Sequence, residues 1–473
     1  MENFDYNAHT RKELSVWLLP KLEEYYTNTK SRKTAADWDV KEVKDYARHF
    51  NLTKSNEAQV IIEHLLQGLN DYSVHTPHPG YFGLFNPRSN FSSILADLIT
   101  ATYNPQLAAW SHSPFANEIE NYIIQEFGKK IGYESHSIDG TFSSGGAEAN
   151  LTAIISALNH AFPDFSEKGL QGIHKKPRIY CSSESHHSIE KAAKVTGLGT
   201  QSVESVPVNQ ALEMDTNALR QQIRTDRKNG LYPLIIIGTA GTTGAGAIDD
   251  LTALGEIAEE ENLWYHVDAA YGGAAVISSK HKSCLKGIET SDSITLDLHK
   301  WFSVPMGASL FLTRKKCILH QSFSIQTTYM PEDGDPEQVV DPYLHSIQWS
   351  RRFIGLKIYV PLAIHGWKGY EQVINNQIKI GQLFKQELQE KGWDIINNSA
   401  LPIICFSKKE FESNEMQHIV NELNASGKFW LSTYPIHGKS TARLCITNYS
   451  TGVREVNEFI DLLEYTTQAR LIQ

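Results

Sequence analysis

Residues Trp264-Tyr265-His266-Val267-Asp268-Ala269-Ala270-Tyr271-Gly272-Gly273 join a short apolar run, a carboxylate and a string of small residues. The run Trp264–Val267 has the length and residue types of a buried strand. A helical pattern, Leu251–Glu261, precedes it, and similar runs flank it at Arg178–Ser182, Leu234–Thr239, Ser293–Asp297 and Ser309–Thr313. Strands alternating with helices predict an α/β domain with a mostly parallel central sheet and helices on both faces. Ligands of such sheets bind at the carboxyl ends of the strands, and the polar motifs of this chain fall there.

Outward from this region the texture changes twice. Residues 1–75 read as polar-faced helices with apolar positions at Trp17-Leu18-Leu19, Val60-Ile61-Ile62 and Leu65-Leu66. They carry no chemistry and are expected to bury their apolar side on another surface, such as a second subunit. The large domain is expected over 76–355, opened by the Pro/Gly/aromatic stretch His78–Pro87. A smaller C-terminal α+β domain is expected over 356–473. Its pattern is a long helix from Phe353 to about Lys391, strands at Ile403–Phe406 and Ala442–Thr447, and helices near Met416–Ser426 and Val453–Thr466.

The chain has 473 residues, a length that fits two or three domains. Its net charge of -10 and pI of about 6.0 argue against a nucleic-acid or anionic-membrane partner, either of which favours a basic surface. No apolar run is long enough to span a bilayer, and the N-terminus lacks the basic and apolar regions of a secretory signal. Five scattered cysteines without a Cys-x-x-Cys pair speak against disulfides or zinc and make a reducing cytoplasm the default.

Five strand-end motifs carry candidate chemistry. Lys300, in Asp297-Leu298-His299-Lys300-Trp301, is a candidate Schiff-base lysine, although alone it reads more readily as a lysine reaching solvent, and its neighbouring motifs shift the balance. Asp268 is placed to pair with a pyridinium nitrogen, and Ala270 is small enough to let a ring lie flat. Gly145-Gly146-Ala147 opens a helix, so its free N–H groups and the helix dipole suit a phosphate. His186-His187 can offer an imidazole for stacking or proton handling. The loop Thr239–Asp249, with Thr242, can bind phosphate or a ring hydroxyl. Few cofactors need an anion cradle, an imidazole, a carboxylate and a lysine together, and pyridoxal 5'-phosphate does.

These motifs, with His78-Pro79-Gly80-Tyr81-Phe82-Gly83, Ser350-Arg351-Arg352-Phe353 and Ala442-Arg443-Leu444, make the chain resemble the group II pyridoxal-phosphate-dependent amino-acid decarboxylases, and within them the aromatic-amino-acid and tryptophan enzymes. The resemblance runs from His78 to the tail. It implies the pyridoxal-phosphate-dependent transferase fold (fold type I) and a homodimer with active sites at the interface. By position it implies that Lys300 forms the Schiff base and Asp268 pairs with the ring nitrogen. His186 stacks on the ring, Gly146 and Ala147 hold phosphate with His299 beside it, and Thr242 and Ala270 line the cofactor. Arg443 is either structural or substrate-facing. Many relatives carry Ser or Thr at Ala147, so one phosphate hydroxyl is missing here. Relatives of the aromatic type have a loop tyrosine that returns a proton to Cα. An ungapped match puts Pro342 there, and a one-residue gap puts Tyr343.

The resemblance implies loss of CO2 from an L-amino acid. Leu84 stands where glutamate-type relatives have a polar amide, and an apolar wall of Leu84 and Phe85 cannot satisfy a buried carboxylate, so an aromatic or apolar substrate is expected. An oxygen-dependent aldehyde synthase on the same fold, an aminotransferase, and a non-catalytic scaffold are the alternatives. An intact lysine and aspartate argue against the last.

Overall fold

The computed structural model describes residues 4–325, 327–328 and 339–471. Its centre is a seven-stranded sheet of β1 (Asp139–Ser143), β2 (Pro177–Ser182), β3 (Val203–Val206), β4 (Tyr232–Thr239), β5 (Trp264–Asp268), β6 (Ser293–Asp297) and β7 (Ser309–Thr313). The spatial order is β1-β7-β6-β5-β4-β2-β3. Pairing is parallel from β3 through β6, whereas β7 runs antiparallel to both β6 and β1. The Ile235-Ile236-Ile237 run of β4 and all of β5 are buried, as expected of strands covered on both faces.

Helix boundaries follow local capping chemistry. Asp250 accepts the Ala253 N–H to start Leu251–Glu261, and Asn262, with a left-handed φ of 53°, ends it. β6 and β7 pair antiparallel, so the chain between them must double back at the carboxyl end of β6. Lys300 sits in that return. Its backbone N–H donates to Asp297 O, and the His299 N–H donates to Ala308 O at the far side of the loop.

A second, antiparallel sheet has the order β10-β11-β9-β8, with β8 (Asp394–Ile395), β9 (Ile403–Ser407), β10 (Ser432–Ile436) and β11 (Lys439–Cys445). Its core joins Phe384, Phe406, Phe429 and Phe459 to Phe82 from the opening of the central region. The stretch from Gly80 to Phe82 runs alongside this sheet: Trp430 N–H donates to Gly80 O and Cys445 N–H to Phe82 O. The long helix Leu356–Glu390 is interrupted where Gly366 takes a left-handed φ of 62°, so the expected single helix is two segments across a kink.

The N-terminal helices Ala8–Asn28, Val40–Ala47 and Ala58–Asp71 bury no residue, and Val16, Leu19, Val60, Leu65 and Leu69 are exposed. No helix among the described residues is long and apolar enough to cross a membrane.

Phe82 ties two distant parts of the chain into one core. Phe82→Ala is therefore expected to cost about 3–5 kcal/mol in denaturant unfolding; a loss below about 1 kcal/mol would show that the site collapses without it.

Candidate active site

The carboxyl ends of β4, β5 and β6 and the N-terminus of the helix Gly146–Ala161 enclose one cleft. Gly146, Ala147, His186, Asp268, Ala270 and Lys300 all line it. Lys300 Nζ lies 3.1 Å from Asp297 Oδ2. Asp268 is buried, and its carboxylate accepts Asn150 Nδ2 at 2.8 Å and the Ala270 N–H at 3.1 Å. Gly146 and Ala147 open their helix, so their N–H groups have no intrahelical acceptor. A Cβ on Gly146 would come within 3.0 Å of Asp297 Oδ2, which explains the glycine at that position.

The two histidines separate. His186 lines the cleft and accepts the Ser188 N–H at Nδ1 (3.2 Å), whereas the His187 side chain is 94% exposed. Desolvation in the cleft holds His186 below the ordinary histidine value; Asp268 opposes this and Lys300 adds to it. His299 is buried next to the cradle, its Nδ1 2.9 Å from Ala308 O, and burial likewise lowers it.

Thr242 and Leu84 differ from expectation, and Tyr343 lies away from Lys300 of its own chain. Thr242 is fully buried, and its hydroxyl accepts the Ala247 N–H at 3.0 Å; Thr243, its neighbour, faces the cleft. Leu84 is 43% exposed and walls nothing within this chain, because the segment alternates: Gly83 packs flat on Trp430, Leu84 points out and Phe85 points in. Tyr343 is not brought to Lys300 in this chain. It sits buried in a 3₁₀ turn, Pro342–Leu344, with its ring 4.9 Å from Trp349 and its N–H on Ala108 O. Residues 329–338 of the preceding loop lie outside the described residues.

Phe85 is buried, its ring 4.3 Å from that of Tyr271, with Lys300 Nζ 5.5 Å and Arg443 Cζ 5.1 Å from its centroid. Arg443 is buried and mostly committed. Nε donates to Gly244 O, Nη1 donates to Gly83 O and Ser432 Oγ, and Nη2 has no partner. Sequence reasoning missed Asn150 and Asp297 in the cleft. The signal was available: Asn150 follows Gly146 by four residues, hence shares its helix face, and Asp297 ends the strand beside Lys300.

A lysine, a carboxylate held in hydrogen bonds and two free N–H groups at a helix start can hold an aldehyde, a pyridinium and a phosphate. The residues therefore fit pyridoxal phosphate. The model of the pyridoxal-dependent decarboxylase conserved domain matches residues 45–409. The chain is 27% identical over 467 residues to an aromatic-L-amino-acid decarboxylase of Bacillus atrophaeus, covering 96% of this chain and 95% of that one. It is 30% identical over 383 residues to the acidic amino acid decarboxylase GADL1 of Mus musculus, covering 80% and 69%. A crystal structure of Oryza sativa TDC with PLP and tryptamine shares the fold, with TM-score 0.93, 21% identity and 99% of both chains covered. The protein belongs to the pyridoxal-dependent decarboxylases, and it is a pyridoxal-phosphate-dependent amino-acid decarboxylase.

Gly146→Val would force the Asp297 carboxylate off its seat beside Lys300. Cofactor binding, followed by fluorescence titration, is expected to weaken by about tenfold or more, the effect of about 1.4 kcal/mol, with far-UV circular dichroism unchanged. Unaltered affinity would contradict the placement.

Proposed function

We propose that this decarboxylase acts on an aromatic or apolar L-amino acid, in a homodimer of the cytoplasm, with Lys300 carrying the cofactor. The observation behind the substrate class is the buried Phe85–Tyr271 pair between Lys300 and Arg443. An aromatic side chain packs well against such a pair. A side-chain carboxylate there would find the guanidinium nearby largely committed to Gly83, Gly244 and Ser432. Of the two relatives named above, this favours the aromatic over the acidic type.

In this reading pyridoxal phosphate, when bound, supplies the electron sink for the charge left at Cα. The chain supplies the rest. Asp268 would pair with the ring nitrogen, Ala270 would leave room for the ring and His186 would stack on it. Gly146 and Ala147 offer N–H groups to the phosphate, and His299 stands beside it. Thr242 acts indirectly, holding the loop that presents Thr243. The one unpartnered nitrogen of Arg443, Nη2, is left for the α-carboxylate that every amino-acid substrate carries. A proton returns to Cα from Lys300 or from Tyr343 of the partner subunit. The apolar residues left open on the N-terminal helices support the dimer, as does Leu84, which can wall a pocket only with help from a second chain. The division 1–75, 76–355 and 356–473 is retained for folding units, with the segment Gly80–Phe82 shared between the two larger ones.

A panel of L-amino acids assayed for CO2, amine, aldehyde and oxygen uptake tests this reading. Phe, Tyr or Trp is expected to release CO2 faster than Glu or Asp, with amine formed in equal amount and no oxygen consumed. Preference for Glu would overturn the substrate class; aldehyde with oxygen uptake would make the protein an aldehyde synthase. Lys300→Ala is expected to lower turnover by several orders of magnitude while leaving the fold intact.

A further inference from the structure

Beside Asp268 a row of buried polar groups begins at Asn150 in the cleft and runs into the sheet. Trp264 Nε1 is 2.9 Å from Ser293 Oγ, which is 2.8 Å from His266 Nδ1. His266 Nε2 is 3.1 Å from Asn150 Oδ1, and Asn150 Nδ2 is 2.8 Å from Asp268 Oδ2. The row crosses β5, β6 and the helix Gly146–Ala161.

The polarity of every link follows from its two ends. An indole N–H only donates, so Ser293 Oγ accepts from Trp264 and its own proton is free for His266 Nδ1. A carboxylate only accepts, so the amide nitrogen of Asn150 faces Asp268 and its oxygen faces His266. His266 must then carry its proton on Nε2 and none on Nδ1. A second proton on this ring would take the acceptor of the Ser293 hydroxyl proton away from it, a buried loss. Burial pushes the imidazole down to about 4, with Asp268 and a hydrogen bond to the Ser293 backbone opposing, consistent with a neutral ring. Thr295 Oγ1 adds a donor to Asn150 Oδ1 at 2.8 Å, the second amide proton of Asn150 goes to Ser188 Oγ at 2.9 Å, and Phe311 stacks on the His266 ring.

We propose that Asn150, His266 and Ser293 are positioning residues: a one-way chain of donors, started by Trp264, that ends on Asp268, stabilises its negative charge and so holds the cofactor's ring nitrogen protonated. This rests on the reading that Asp268 faces that nitrogen. Aligned hydrogen bonds polarise one another in a dry interior, so the last bond, to a charged acceptor, carries more than an isolated amide would. The motif Ser143–Asn150 thus serves the cofactor at both ends of one helical turn, Gly146 at the phosphate and Asn150 at the carboxylate.

Nitrogen NMR of the enzyme loaded with isotopically labelled pyridoxal phosphate tests the chain, with Asn150→Leu and Ser293→Ala as variants. The wild-type ring nitrogen is expected to be protonated near neutral pH. In Asn150→Leu the ratio of protonated to free nitrogen should fall by about tenfold or more, the worth of one hydrogen bond to a charged group. Ser293→Ala, which removes a single oxygen four groups from the cofactor, should move the same resonance in the same direction by less. It decides the matter if Asn150→Leu does not fold. A resonance unmoved in the variants that bind cofactor would reduce the row to a structural role and overturn the proposal. An unprotonated nitrogen in the wild type would instead refute the pairing with Asp268 itself. Nitrogen NMR of the His266 ring gives a second readout: a neutral ring with its proton on Nε2 is expected, and a doubly protonated ring or the opposite tautomer contradicts the chain.

Discussion

A carboxylate buried at the end of a strand is costly unless donors surround it, and Asp268 is such a group. Its two hydrogen bonds, from Asn150 and from the Ala270 N–H, bind the architecture to the chemistry. Asn150 reaches Asp268 only because its helix starts at Gly146, at the edge of the same cleft. Gly146 lets the helix start close against Asp297, where a Cβ would sit 3.0 Å from Oδ2. Asp297 in turn ends β6, next to β5, and pairs with Lys300 in the return towards β7. Moving any one of these groups disturbs the others.

The central sheet was legible wherever its strands are β-branched and buried on both faces. β6, β7 and the helix Leu251–Glu261 fall on the expected residues, and β2, β4 and β5 start or end within two. Edge strands were not legible. β1 is Asp-Gly-Thr-Phe-Ser and reads as part of a glycine-rich turn; its strand character comes from pairing with β7, a partner far away in sequence. β3 has four residues, and β10 carries Pro435 at the edge of its sheet.

The site was legible because several motifs, each weak alone, supply complementary chemistry together. Lys300, Asp268, His186 and the Gly146 cradle stand out by residue type and local spacing, and they share one cleft. What could not be read were directions of side chains set by tertiary packing. Thr242 and Thr243 are indistinguishable in sequence, and only the loop's own hydrogen bonds turn the first inward. Leu84 and Phe85 are separated by the flat packing of Gly83 on Trp430. Arg443 shows why its two readings are hard to part: the same guanidinium ties Gly83, Gly244 and Ser432 together and keeps one nitrogen free.

Everything proposed for the cleft depends on the cofactor being carried by Lys300. Borohydride reduction of the loaded enzyme, followed by peptide mass mapping, tests this directly, because reduction fixes a lysine-bound aldehyde covalently. The expected result is a single phosphopyridoxyl group on the peptide containing Lys300. The same label on another lysine, such as the buried Lys357, with Lys300 unmodified would contradict the assignment.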